Sequence, residues 1–194
     1  GTNEHPTQAL LDLLTLKEVY GDLSGKTLCI LGDCLHSRVG HSMCKLLPRY
    51  GMKIILCGPE SFLPEKSPNS DTTLETSLDQ ALIKSDMMYL LRIQKERHHS
   101  QKVDTYESYP QEYGLNLEKI KNLKNPPKIF HPGPVNIGVE ITRELMRTNL
   151  YKGYEQVKYS IPMRMAIVKS VLENHDSHYG FKSLHFKNYG NVNE

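Results

Sequence analysis

Apolar residues along this chain fall into short runs whose spacing switches between that of helices and that of buried strands. Behind Pro6, whose missing N–H and fixed φ suit a first helical turn, Leu10, Leu11, Leu13, Leu14, Leu16 and Val19 recur at near-helical spacing. Gly21 ends this segment, and apolar positions on more than one stripe predict a helix covered on two sides. Residues 27–31 then read as a buried strand, 37–50 as a helix whose end Pro48 leaves open, and 52–57 as a second strand. A polar, proline-dotted loop over 58–73 leads to a short helix at 77–84 and a third strand at 86–91. The resulting βαβαβ alternation implies a parallel sheet flanked by helices on both faces, a Rossmann-like α/β architecture.

Residues 92–114 carry many charges without clear periodicity and read as a long mobile loop, of the kind that often forms a lid, before a helix near 115–123. Lys128-Ile129-Phe130 is a further strand, followed by the rigid turn His131-Pro132-Gly133-Pro134. Residues 139–146 are weakly helical, and 163–172 form an amphipathic helix started by Pro162. The polar stretch 174–194 is expected to be disordered or loosely docked. Its His175, His178 and His185 are spaced irregularly, as surface histidines are.

With 194 residues and ordinary apolar and charged fractions, the chain suffices for one well-buried domain. A formal charge of +2, with scattered basic residues, points away from nucleic acid and membrane surfaces and toward small ligands. No apolar run is long enough to span a bilayer and no signal pattern opens the chain, so a cytoplasmic location is expected. Cys29, Cys34, Cys44 and Cys57 lie in or beside apolar segments and read as buried free thiols. A metal site from Cys34, His36, His41 and Cys44 matches no zinc spacing and is not adopted.

Four polar segments sit where such a sheet would present its carboxyl edge. They are Glu4-His5-Pro6-Thr7-Gln8-Ala9-Leu10-Leu11-Asp12, Gly32-Asp33-x-x-His36-Ser37-Arg38-Val39-x-His41-Ser42, Leu91-Arg92-Ile93-Gln94-Lys95-Glu96-Arg97 and His131-Pro132-Gly133-Pro134-Val135-Asn136. In order and spacing they resemble the aspartate carbamoyltransferases. The resemblance covers about residues 1–173 and implies the aspartate-binding half of a two-domain chain, with residues 1–21 as an interdomain helix and 162–173 as a C-terminal helix. The family's Ser-Thr-Arg-Thr phosphate segment, carried by its first domain, does not occur in the sequence. The material is therefore expected to be a cleavage product, an isolated domain or a truncated species, inactive alone. By family analogy the two terminal helices pack against the missing domain, so their apolar faces should be exposed or covered by a second copy. A second departure is Ile137, where bacterial members commonly have arginine.

The resemblance implies transfer of a carbamoyl group from carbamoyl phosphate to the amine of L-aspartate in pyrimidine biosynthesis, with no cofactor, metal or enzyme nucleophile. The intact enzyme resembles a homotrimer, with a regulatory subunit or other pyrimidine enzymes as further partners. Cationic and neutral donors should dominate such a site. His5, at a helix start where the dipole disfavours imidazolium, is assigned to the carbamoyl carbonyl oxygen and is the one catalytic candidate; it reads equally as a packing histidine. Gln8, one turn on, can accept from the carbamoyl amide, or be a solvated glutamine. Gly133 and Pro134 complete the carbamoyl-phosphate group as a wall of fixed carbonyls, or are merely a rigid connection.

Arg38 is pointed by the resemblance at the α-carboxylate of aspartate; by itself it would be a surface arginine near a helix start. Arg92 and Gln94 project from one face of extended chain and suit the β-carboxylate. Glu96 and Lys95 are supporting groups, Glu96 orienting Arg92, although a charge run of this type is usually solvated. His131 reads as structural. Two alternatives stand beside this reading: a non-catalytic dicarboxylate-binding or assembly domain, and ornithine carbamoyltransferase, whose His-Cys-Leu-Pro turn and Ser-Met-Gly loop do not occur in the sequence.

Overall fold

A computed structural model describes residues 2–93 and 103–179. The described residues form five strands, β1 (Thr27–Leu31), β2 (Lys53–Cys57), β3 (Thr72–Glu75), β4 (Met87–Leu90) and β5 (Lys128–Phe130). Seven α-helices accompany them: α1 (Pro6–Tyr20), α2 (Arg38–Leu46), α3 (Leu78–Lys84), α4 (Val103–Glu112), α5 (Leu117–Ile120), α6 (Arg143–Met146) and α7 (Gly153–Tyr179). All strand pairs are parallel, in the order β3-β2-β1-β4-β5. The chain thus builds the sheet outward from β1 in one direction and, after β3, in the other. Between β1 and β4 lies the switch point at which open α/β sheets bind ligands.

Alternation along each strand divides the core into two layers. Leu28, Ile30, Met87, Tyr89 and Phe130 pack with Ala9, Leu13, Leu16, Val39 and Met43 of α1 and α2. Cys29, Leu31, Met88, Leu90 and Ile129 pack with Leu78, Ala81, Leu82, Tyr109 and Leu145 on the other face. The parallel sheet with helices on both faces is therefore as the strand runs predicted. All four cysteines are free and buried.

Helix α1 keeps the predicted bounds, with Pro6 in its first turn and Gly21 capping it. Leu11, Leu13 and Leu16 are buried within the chain, between sheet and α7. This corrects the expectation that its apolar face would stand open. Helix α7 differs: Tyr154, Val157, Ile161, Met165, Val168 and Leu172 are 47–71% exposed and recur every three or four residues along one stripe.

Other departures have local causes. Strand β3 lies in what reads as a loop, because a half-polar Thr-Thr-Leu-Glu segment becomes an edge strand only through its register with β2, Ile54 facing Thr72 and Cys57 facing Glu75. The expected third strand is thus the fourth. Helix α4 occupies part of the expected loop over 92–114, since Tyr106 and Tyr109 pack on Phe62 with ring centroids 5.4 and 6.1 Å apart, despite Pro110 within the helix. The helix expected over 115–123 shrinks to α5, and only the Arg143–Met146 end of the weak 139–146 segment is helical. Helix α7 starts at Gly153, so Pro162 lies in its interior, and it runs six residues into the stretch expected to be a loose tail. Residues 180–194 lie outside the described residues.

Candidate active site

The carboxyl ends of β1, β4 and β5 open into one cleft of ≈390 Å³. Crowding of the backbone sets its floor: at Gly32, φ +131°, a Cβ would lie 3.0 Å from that of Leu91, and the Leu91 N–H donates to Leu31 O at 2.8 Å. Only glycine lets the two strand exits come this close while turning the next residues outward.

Helix α2 follows β1 directly, its N-cap Ser37 accepting the Gly40 N–H at 3.0 Å, so Arg38 is its first residue and faces the cleft. Asp33 and His36 share the rim, Asp33 Oδ1 lying 2.8 Å from His36 Nδ1. The His41-Ser42 part of the same motif holds the neighbouring segment in place. His41 Nδ1 donates to Asn3 O at 3.0 Å, and Ser42 Oγ accepts the His5 N–H at 2.9 Å while donating to Glu4. Lys45 pairs with Glu4 at 2.5 Å and, with the Ser42 bond, lowers the Glu4 pKa.

His5, half-buried, is the N-cap of α1. Partial burial first, and then the charges of Arg38 and Arg164, lower its pKa, which favours the neutral ring. The Thr7 hydroxyl lies 3.3 Å from Nδ1; in the tautomer in which that hydroxyl donates, the ring proton sits on Nε2 as a hydrogen-bond donor. Gln8 is buried and lines the same cleft. Arg92 follows β4, and Pro132, Gly133 and Pro134 form the opposite wall, with a cis Gly133–Pro134 peptide.

That wall is held from behind. His131, 3% exposed, accepts the Gly133 N–H through Nδ1 at 2.9 Å and so braces the turn. Its Nε2 lies 3.8 Å from Glu140, a buried carboxylate that also accepts the N–H groups of Ile93 at 2.8 Å and Asn136 at 2.7 Å. The Pro132–Pro134 wall also borders a second, more apolar cavity of ≈280 Å³ beneath α7, lined by Tyr151, Gln156 and Val157.

His5, Gln8, Arg38, Arg92, Gly133 and Pro134 are thus brought together, whereas Gln94, Lys95 and Glu96 lie outside the described residues. Ile137, 45% exposed, is not among the residues lining the cleft. Sequence reasoning missed Arg164, which projects into the cleft from α7 as a third guanidinium, and the supporting residues Asp12, Glu140 and Gln156. A helix start placed at Pro162 concealed how α7 crosses the site. Three guanidiniums beside a neutral imidazole suit a ligand with several negative charges.

Residues 24–171 match the family profile described as "Aspartate/ornithine carbamoyltransferase, Asp/Orn binding domain". The chain is 40% identical over 168 residues to the aspartate carbamoyltransferase catalytic subunit of Heliobacterium modesticaldum, covering 87% of this chain and 54% of that protein. The catalytic subunit of M. jannaschii aspartate transcarbamoylase superposes with a TM-score of 0.77 at 30% identity, over 91% of this chain and 58% of that one. Trypanosoma cruzi aspartate transcarbamoylase, in complex with carbamoyl phosphate and aspartate, superposes with a TM-score of 0.73 at 29% identity, over 87% and 57%. The chain thus spans a little over half the length of the relatives it matches. It belongs to the aspartate/ornithine carbamoyltransferase family, and what it carries is that family's Asp/Orn-binding domain.

Proposed function

We propose that the protein containing this chain transfers the carbamoyl group of carbamoyl phosphate to the amine of L-aspartate. The observation that carries this reading is the convergence of Arg38, Arg92 and Arg164 on a cleft also lined by His5, Gln8 and the Gly133–Pro134 turn, with Asp33, His36 and Ser37 along its rim. The aspartate nitrogen attacks the carbonyl carbon, a C–N bond forms, and the oxygen becomes a tetrahedral oxyanion. Collapse breaks the C–O bond to phosphate, which leaves with the proton given up by the amine. Each reactant is an anion, so the cost of bringing them together falls mainly on cationic side chains.

In this reading Arg38 holds the α-carboxylate of aspartate and Arg92, with Gln94, the β-carboxylate. His5 Nε2–H donates to the developing oxyanion, where a neutral ring serves without losing its proton. Gln8 and the carbonyls of Gly133 and Pro134 accept from the carbamoyl and attacking amines. Arg164 adds a positive field at the phosphate side. Ornithine fits less well, because its side-chain ammonium would meet arginines.

The phosphate-binding half comes from a second domain, and the working enzyme is a cytoplasmic homotrimer open to regulatory or pathway partners. The Asp/Orn-binding domain alone has little activity. A colorimetric assay for carbamoyl aspartate on the full-length gene product tests the reading, and no product at saturating substrates would sink it. Calorimetry on this chain should find only very weak binding of aspartate and phosphonoacetyl-aspartate; micromolar affinity for the latter would contradict a site divided between domains.

A further inference from the structure

Behind the cleft lies a buried carboxylate on which three elements meet. Asp12, 1% exposed, stands one helical turn beyond Gln8 on α1. Its Oδ1 accepts Gln8 Nε2 at 3.0 Å and Gln156 Nε2, from α7, at 2.8 Å, and its Oδ2 accepts the Tyr89 hydroxyl of β4 at 2.6 Å. The other end of the Gln156 amide accepts the backbone N–H of His131 at 2.8 Å, at the root of the proline wall.

We propose that Asp12 is a positioning residue for the carbamoyl-phosphate side of the site: it fixes which way the Gln8 amide faces and, through Gln156, couples that amide to the Pro132–Pro134 wall. The proposal rests on the functional reading above. A carboxylate only accepts hydrogen bonds, so the Gln8 amide must turn its nitrogen inward and its carbonyl oxygen away from Asp12. The reverse orientation would set two oxygens against each other in a buried site. Gln8 therefore meets the cleft as an acceptor, which suits the N–H groups of a carbamoyl amide and not its oxygen. Gln156 is oriented by the same logic, its nitrogen on Asp12 and its oxygen on an N–H.

This orientation survives protonation of Asp12. Tyr89, on β4, and Arg164, on α7, are the titratable and charged groups acting on it. A proton on Oδ2 faces the Tyr89 oxygen, which accepts it once its own hydroxyl rotates, and Oδ1 still accepts both amides. The substitution Asp12→Asn, with the new amide nitrogen in place of Oδ2, keeps the Oδ1 acceptor for both amides and puts a donor toward Tyr89, with one additional N–H. Asp12→Leu keeps a similar volume and removes every acceptor.

Steady-state kinetics of D12N and D12L in the full-length protein separate orientation from charge. D12N should keep the KM for carbamoyl phosphate within about twofold, while D12L raises it about tenfold with a smaller change in kcat, the loss of one orienting hydrogen bond. An unchanged KM in D12L, or equal damage in the two variants, would overturn the proposal. The same contrast can be read without catalysis in this chain, from the Gln8 side-chain amide in 15N spectra, assigned by its disappearance in Q8L. Slow amide exchange in wild type and D12N is expected; fast exchange in D12N overturns the proposal even where D12L does not fold. Wild-type protein that forms no carbamoyl aspartate would instead overturn the functional reading, leaving the amide measurement to decide the role of Asp12.

Discussion

Glu140 accepts the backbone N–H of Ile93 through Oε1 at 2.8 Å, so the residue directly after Arg92 is bonded to a side chain 47 positions further along the chain. The same carboxylate takes both the backbone and side-chain N–H groups of Asn136, at 2.7 and 2.8 Å. Asn136 closes the loop by donating from Nδ2 to Ile93 O at 3.0 Å. The exit of β4 and the segment after the proline wall are therefore one unit, joined through Glu140 and Asn136.

Replacing Glu140 should test that coupling. E140A leaves the buried Ile93 N–H and two half-buried Asn136 N–H groups without their acceptor and should destabilise the fold by about 3 kcal/mol; E140Q, which keeps one oxygen but turns an NH2 toward a donor, should cost roughly half as much. Urea unfolding measures both. If the unit positions Arg92, the full-length E140Q protein should show a larger rise in KM for aspartate than for carbamoyl phosphate; equal midpoints for all three proteins would mean that the bonds carry no net stability.

The Asp12 carboxyl gives the fold an unusual pH dependence. Burial raises its pKa from 3.8 to about 6, only partly offset by the bonds from Tyr89, Gln156 and Gln8. A raised carboxyl favours the folded state while protonated, so its contribution is greatest below pH 3.8 and is lost as pH rises to about 6, a change of about 3 kcal/mol. The surface pairs of Glu4 and Glu75 with Lys45 and Lys84 act the opposite way, being lost as pH falls, because those carboxyls are lowered. D12N should therefore gain stability relative to wild type between pH 4 and 7, read as a rising difference in melting temperature. A constant difference would place the Asp12 pKa at its ordinary value.

What could be read from sequence divides along the range of the interactions involved. Pro6, Gly21 and the unbroken apolar runs of β1, β4 and β5 are local signals, and their elements form where those signals lie. The candidate site was legible for a related reason: His5, Arg38, Arg92 and Gly133 each sit at a helix start or strand exit, and a parallel sheet gathers its strand exits at one edge. Strand β3 and helix α4 were hidden because pairing with β2 and packing on Phe62 decide them, not their own residues. Asp12 and Glu140 look like ordinary surface carboxylates in sequence. Only the folded chain brings Tyr89, Gln156 and Ile93 to them.

His5 offers a direct test of site electrostatics. Its pKa is lowered by burial and by the charges of Arg38 and Arg164, so the ring is neutral at pH 7 and gains a proton only below the ordinary range. R164A removes one of those charges and should move the His5 titration upward, as followed by the imidazole carbon-bound protons in NMR. In the full-length protein kcat should fall as pH drops through the same midpoint, because the imidazolium competes for the aspartate carboxylates. A His5 midpoint unmoved in R164A would show that the α7 guanidinium does not act on this ring.

The exposed stripe of α7 makes a prediction about the chain as a whole. Ile161, Met165 and Val168 are 70, 67 and 58% exposed on a helix whose other side packs against α1, and an apolar face of this length in water favours association. This chain should sediment with a concentration-dependent mass, and I161E/M165E should return it to a monomer with unchanged circular dichroism. In the full-length protein, where we propose that a second domain covers the stripe, each of those substitutions should instead destabilise by about 2 kcal/mol through lost apolar burial. A wild-type chain that stays monomeric at all concentrations with α7 fully helical would remove the stripe as a docking face. Unchanged stability of the full-length variants would show that the second domain lies elsewhere.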